Sequence, residues 1–106
     1  MEDCVFCKIV KGELPSTKVY EDDGVIAFND TNPSMPIHIL IVPKKHIENL
    51  SKARNEDLEI LGKLQLVASK IAQDKGFYDY KLVTNNGTKA GQVVFHLHYH
   101  LLGGFK

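Results

Sequence analysis

His96, His98 and His100 alternate with apolar residues in the stretch FHLHYHLL, in a chain of 106 residues with only five histidines. In an extended segment successive side chains point to opposite faces, so the three imidazoles share one face, with neighbours roughly 7 Å apart. Phe95, Leu97, Tyr99 and Leu101 take the other face, which is apolar and is expected to pack inward. Two chemistries suit such an array. A His-x-His pair can chelate zinc. Alternatively, neutral imidazole, with a reference pKa of about 6.5, is a competent nucleophile near neutral pH. Its attack on phosphorus forms a phospho-histidine that water later hydrolyses, dividing one hard step into two. Flanking histidines would orient the nucleophile or protonate a leaving group.

The segment NNGTKAGQ, just upstream, favours the phosphate reading. Gly87 and Gly91 let the backbone approach a ligand closely. Backbone N–H groups in such a turn form an anion-binding concavity, and Asn85, Asn86 and Gln92 add side-chain donors. A second feature is Cys4-x-x-Cys7. A redox pair of this kind follows a strand in a βαβ context, which is missing from the pattern here. A closed zinc site needs four ligands, of which this pair supplies two.

The elements that must position these residues are short and mostly extended. KVYED and GVIAFND flank an Asp-Asp-Gly turn, a hairpin signal. PIHILIVP is β-branched and bounded by prolines, and reads as a buried strand. YDYKLVTNN and QVVFHLHYHLL read as two more strands, joined by GTKAG. One long helix is predicted from Asn55 to Asp74, with Asn55 as its N-cap, Glu56 and Asp57 at the positive end of the dipole, and Gly76 as its terminator. Its apolar positions cover about 180° of the projection, wider than the roughly 100° stripe that one core requires. Such a helix is expected to pack on its own sheet and also on a second copy. Five sequentially connected strands and one helix predict an antiparallel sheet in a single α+β domain over residues 1–106.

Composition agrees. Hydrophobic residues make up 43% and charged residues 25%, as in an ordinary globular domain. Lys plus Arg equals Asp plus Glu at 13 each, so no net field draws the chain to nucleic acid or anionic lipid. No segment approaches the roughly 20 apolar residues of a membrane span. MEDCVFCKIV has too short an apolar run for a signal peptide, so a cytoplasmic location is expected.

HLHYHLL fits the pattern His-φ-His-φ-His-φ-φ, with φ apolar, and with IVPKKHI at this separation it resembles the histidine triad (HIT) superfamily. The resemblance runs along nearly the whole chain, from CVFCKIVKGELPSTKVYEDDGVIAFNDTNPSMPIHILIVPKKHI to NNGTKAGQVVFHLHYHLLGG, and Gly-Gly after the triad is similar to the Hint-like branch of purine nucleoside phosphoramidases. It implies a HIT-like fold with a short N-terminal helix and a homodimer whose sheets join into one. It also implies a hydrolase that releases nucleoside monophosphate from nucleoside 5′-phosphoramidates or acyl-nucleotides through a nucleotidyl-histidine. The alternatives are a dinucleoside polyphosphate hydrolase, a nucleotide-binding regulatory module with little turnover, and a protein whose triad itself holds a metal.

By position in the motif, the resemblance makes His98 the nucleophile, has His100 assist the phosphate and leaving group, and has His96 and His38 support the array. It assigns Asp30 to the ribose hydroxyls of a purine nucleotide. Asn85, Gly91 and Val93 go to the phosphate side, beside the Gln92 donor, and Val5, Phe6, Ile9 and Phe28 form the base pocket. It also completes a structural zinc site by adding His46 and His96 to Cys4 and Cys7. Val93 stands where many Hint-like proteins have Ser, and the sequence ends without the Trp-Pro-Pro-containing tail common in that branch, so leaving-group selectivity stays open.

Overall fold

Asp22 directs the first reversal of the chain. Its Oδ1 accepts the Gly24 and Val25 N–H groups at 2.8 and 2.9 Å, closing the turn between strands β1 (Lys18–Glu21) and β2 (Val25–Asn29). The computed structural model describes residues 4–105. A short helix α1 (Val5–Val10) precedes the hairpin, and β3 (Ile37–Pro43) pairs antiparallel with the whole of β2, from Ile39 to Pro43. Helix α2 (Leu58–Lys75), β4 (Tyr80–Val83) and β5 (Tyr99–Gly103) follow. The α+β class, the five-stranded antiparallel sheet, the long helix and the short N-terminal helix agree with expectation.

Strand order does not. The sheet runs β1-β2-β3-β5-β4, so β5 inserts between β3 and β4 instead of following sequentially. Its register, Ile39 opposite Leu101 and Leu40 opposite His100, explains the choice. Leu101, with no exposed surface, takes the most covered position beside Ile39, whereas three of the four β4 residues are exposed and suit an edge.

The sheet has two covered faces. Val25, Ala27, Ile39, Ile41 and Leu101 pack under Leu64, Val67, Ala68 and Ile71 of α2. Ile26, Phe28, Leu40 and Val42 face the other way and pack under Phe6 of α1. This double burial accounts for the continuous apolar run of β3.

Helix α2 begins later than predicted. Asn55–Asp57 form a 3-10 turn, and Asp57, not Asn55, fixes the start by accepting the Arg54 N–H at 2.9 Å. Gly76, at φ 79°, closes the helix as expected. Leu58, at the edge of the apolar arc, and Leu66, outside it, remain 76% and 72% exposed, uncovered by this chain's own sheet. Among the described residues no helix is long and apolar enough to cross a membrane.

The histidine segment is the other departure. The sheet takes up the chain only at Tyr99, so His96 and His98 precede the strand. Continuing the ladder would set this segment against Pro43, which has no N–H to donate. Leu97 N–H bonds the Ile47 carbonyl instead, at 2.6 Å. Phe95, expected in the core, is therefore 39% exposed, while Leu97 and Leu101 are buried.

Candidate functional site

Two neighbouring strands bring the catalytic candidates together. Leu40 and His38 lie on the α1 face of β3, opposite His100 and Leu102 of β5, so His38 and His100 are diagonal neighbours. The Asp30 N–H bonds the His38 carbonyl at 2.9 Å, which sets Asp30 at the end of β2 beside the same imidazole. His98 and His100 have ring centroids 4.9 Å apart, closer than the strand repeat because the rings lean together.

The hydrogen bonds fix where each proton sits. The Ser34 N–H donates to His38 Nδ1 at 3.0 Å, so in neutral His38 the proton is on Nε2. That nitrogen lies 2.8 Å from His100 Nδ1 and 3.3 Å from Asp30 Oδ2, and both accept. His100 then carries its own proton on Nε2. His98 has the opposite tautomer: its Nδ1 is 2.8 Å from the His96 carbonyl, which can only accept, so Nε2 holds the lone pair. Burial pushes His98 below its ordinary pKa, and burial with His98 and His38 nearby does the same for His100. Both are therefore neutral at pH 7. One adjacent imidazole offers a lone pair and the other an N–H.

A cavity of about 600 Å³ opens beside them. Val5, Phe6, Ile9 and Phe28 form its apolar part, with Asp30, Asn85, Gly91, Val93, His98 and His100 around the rest. Thus every expected nucleotide-binding residue but one reaches a common space. The exception is Gln92. Its Oε1 accepts the Gly87 N–H at 2.9 Å and Asn49 Nδ2 at 3.3 Å, while Nε2 donates to the carbonyls of Glu48 and Val94 at 2.9 and 3.1 Å. A buried amide with four internal bonds holds the loop from behind and has nothing to offer a ligand. Asn86 likewise turns away, bonding the Ser51 backbone and hydroxyl. The sequence reading missed Leu40 and Val94 in the cavity wall, and Ser34, whose N–H sets the tautomer of His38. Alternation along PIHILIVP places Leu40 on the His38 face, a usable signal. A backbone donor such as Ser34 leaves none.

His96 separates from the other two. Its ring is fully buried and sits with Cys4, Cys7 and His46. Cys4 Sγ and Cys7 Sγ lie 3.3 and 3.5 Å from His96 Nδ1, Cys7 Sγ lies 3.3 Å from His46 Nδ1, and the two Nδ1 atoms are 3.2 Å apart. Zinc bonds of about 2.3 Å to sulfur and 2.0–2.1 Å to nitrogen imply tetrahedral edges of roughly 3.3–3.8 Å. The separations and the Cys2His2 donor set fit that ion. The second shell fits as well. His96 Nε2 donates to the Pro43 carbonyl at 2.7 Å, leaving Nδ1 as a lone pair aimed at the centre. Burial holds His96 down at about 4, so it is neutral, as a ligand must be. Burial, with Cys4 beside it, pushes the Cys7 thiol up, and a metal would convert it to thiolate.

Asp30, His38 and His100 also converge, but they form a poorer metal site. Metal binding at His38 Nε2 would displace its proton and with it the Ser34 bond. The 2.8 Å separation of the two nitrogens is that of a hydrogen bond.

Comparison with known proteins gives a consistent set of relatives. The family model described as "Scavenger mRNA decapping enzyme C-term binding" matches residues 3–105. A HIT-like protein of Synechocystis is 51% identical over 104 residues, covering 97% of this chain and 91% of that protein. A "14 kDa zinc-binding protein" of Zea mays is 50% identical over 103 residues, covering 94% of this chain and 80% of its own length. Among solved structures, a histidine triad protein of Clostridium difficile superposes with a TM-score of 0.96 at 51% identity, covering all of this chain and 94% of that one. A HIT family hydrolase of Clostridium thermocellum gives 0.96 at 53% identity, covering 99% and 93%.

Proposed function

The chain belongs to the histidine triad superfamily, and on that footing we propose that it hydrolyses nucleoside 5′-phosphoramidates or acyl-nucleotides, with His98 as nucleophile. The observation that carries this reading is the pair of opposite tautomers at His98 and His100. Nε2 of His98 attacks the α-phosphorus, and the bond from phosphorus to the leaving nitrogen or oxygen breaks. His100 Nε2–H hydrogen-bonds the leaving atom, which takes up a solvent proton as it departs. Water then attacks the nucleotidyl-histidine and gives a proton to solvent, the bond from phosphorus to His98 Nε2 breaks, and nucleoside monophosphate is released with His98 neutral again. His38 keeps His100 in the donating tautomer throughout.

The rest of the cavity suits a purine nucleotide. Phe6, Ile9 and Phe28, with Val5 at the mouth, make a slot for the base. Asp30 Oδ1 already accepts the Asn32 N–H, which orients the carboxylate for ribose hydroxyls. Asn85, Gly91 and the Val93 backbone flank the position of the phosphate. Gly91, at φ 101°, adopts a turn that favours glycine and brings the backbone close.

Cys4, Cys7, His46 and His96 would hold zinc, a reading supported by the donor geometry and by the zinc-binding relative from maize. When bound, such an ion supplies a structural cross-link and no reaction step. The protein also acts as a homodimer in this reading. The exposed Leu58 and Leu66 of α2 and the open edge of β4 support it.

The test is release of AMP from adenosine 5′-phosphoramidate by wild type and His98→Ala. Turnover is expected in the wild type alone, with AMP binding retained in both. Equal turnover would refute the covalent route, and AMP binding without turnover in either would make the protein a binding module.

A further inference from the structure

Resting on the reading of His98 as nucleophile, we propose that the Cys4–Cys7–His46–His96 centre is a positioning element for His98, so that its occupancy governs turnover from a site the substrate does not touch.

The sheet does not hold His98. Regular pairing begins at Tyr99, so the backbone carrying His96 and His98 lacks the ladder bonds that fix His100. Within that segment Thr84 Oγ1 donates to the His98 carbonyl at 2.7 Å, which restrains only its downstream side. Upstream, three routes lead to the four-ligand centre.

The first is His96 itself. Its ring lies in the centre through Nδ1, while its main-chain carbonyl accepts the His98 Nδ1 proton at 2.8 Å. One residue is thus both a ligand and the group that leaves the His98 lone pair on Nε2. The second is His46. The next residue, Ile47, offers the carbonyl that takes the Leu97 N–H at 2.6 Å, between the two histidines. The third is the Cys4–Cys7 turn. Phe6, between the cysteines, stands edge-on to His96 with centroids 6.0 Å apart and to His98 at 5.0 Å. Each chain segment that contributes a ligand therefore also contacts His98 or its upstream neighbour. Residues that orient a metal ligand and act through it change activity by about 10–100-fold when lost, and the same coupling run in reverse is expected here.

The experiment compares zinc-loaded protein with protein stripped by a chelator, both labelled with 15N in histidine. In the loaded form the His98 ring is expected to show a single Nδ1–H tautomer and the Leu97 amide to exchange slowly. On stripping, the tautomers should average, Leu97 should exchange at least about 10-fold faster, and kcat should fall about 10–100-fold with little change in KM. Added zinc should restore all three. A stripped, folded protein that keeps the His98 tautomer and kcat would overturn the proposal, as would wild type that takes up no zinc. If stripping unfolds the protein, cadmium exchange is the second measurement. The larger ion keeps the cross-link but displaces the ligands, so the His98 resonance should move and kcat should drop. A cadmium form matching the zinc form in both would equally overturn it. If tautomer and exchange follow the metal but the loaded protein releases no AMP, the coupling stands and the hydrolase reading fails.

Discussion

Nε2 of His38 and Nδ1 of His100 lie 2.8 Å apart across two neighbouring strands, joined in a chain of donors that begins at the Ser34 N–H. In the proposed reaction His38 therefore acts through His100, and its ring, which also faces Asp30 at 3.3 Å, stands behind the cavity wall.

Replacing His38 with Ala frees His100 to adopt either tautomer. The expected result is a fall in kcat of about 100-fold, the lower range of general-acid contributions, with KM nearly unchanged. Exogenous imidazole should recover part of the loss. Steady-state kinetics with and without imidazole check this, and a rise in KM alone would show that His38 binds substrate.

Gln92 makes four hydrogen bonds from a buried position behind the phosphate-side loop. Gln92→Ala leaves several main-chain groups without partners and should cost about 2–3 kcal/mol. It should also loosen Gly91 and Val93 and weaken AMP binding. Thermal melting and calorimetric titration measure the two effects. Loss of AMP affinity at full stability would point instead to direct contact between Gln92 and the ligand.

Asp22 gives the fold a dependence on acid. Burial alone would raise its pKa. The Tyr20 hydroxyl, the Gly24 and Val25 N–H groups and Lys63 outweigh that and hold it well below the usual carboxylate range. A carboxylate depressed in the folded state stabilises above its unfolded value, about 3.9, and the contribution fades as pH falls through the folded value. Asp22→Asn should therefore cost about 1–2 kcal/mol at pH 7, with the difference shrinking below about pH 4. Denaturant melts across pH would reveal this, and a constant difference would contradict it.

The exposed Leu58 and Leu66 lie two turns apart on α2. Changing both to Glu should give a monomer by light scattering at micromolar concentration, while the wild type runs as a dimer. A monomeric wild type would remove the dimer from the proposed function.

Residue type and spacing carried much of this. The alternation of HLHYHLL, the Cys-x-x-Cys pair and the apolar run PIHILIVP are local patterns, and a local pattern can be read in one dimension. The same holds for Gly76, whose place after an apolar-periodic segment marks a helix end. What escaped is non-local. Nothing near Gln92 in the chain indicates that its partners are Glu48 and Asn49, more than forty residues upstream. The placement of β5 between β3 and β4 depends on which strand buries Leu101, a competition decided only in the packed sheet. All three histidines keep to the α1 side, as the alternation implied, but the sheet takes up only the last of them: pairing with β3 ends at Ile41 opposite Tyr99, and only the partner strand shows that.

The last strand in chain order is a central one, and this sets the order of events when the protein is made. Ile37–Ile41 must wait for Tyr99–Gly103, the segment they pair with. Until it arrives, the β1–β2–β3 sheet presents an unpaired apolar edge, and β4 has no neighbour. Closure over so long a loop is slow compared with local structure. A nascent chain on the ribosome therefore exposes the β3 edge until Tyr99–Gly103 has emerged, the interval in which pairing with another chain competes with folding. The residues that complete the sheet lie beside those that complete the site, so neither forms before the other.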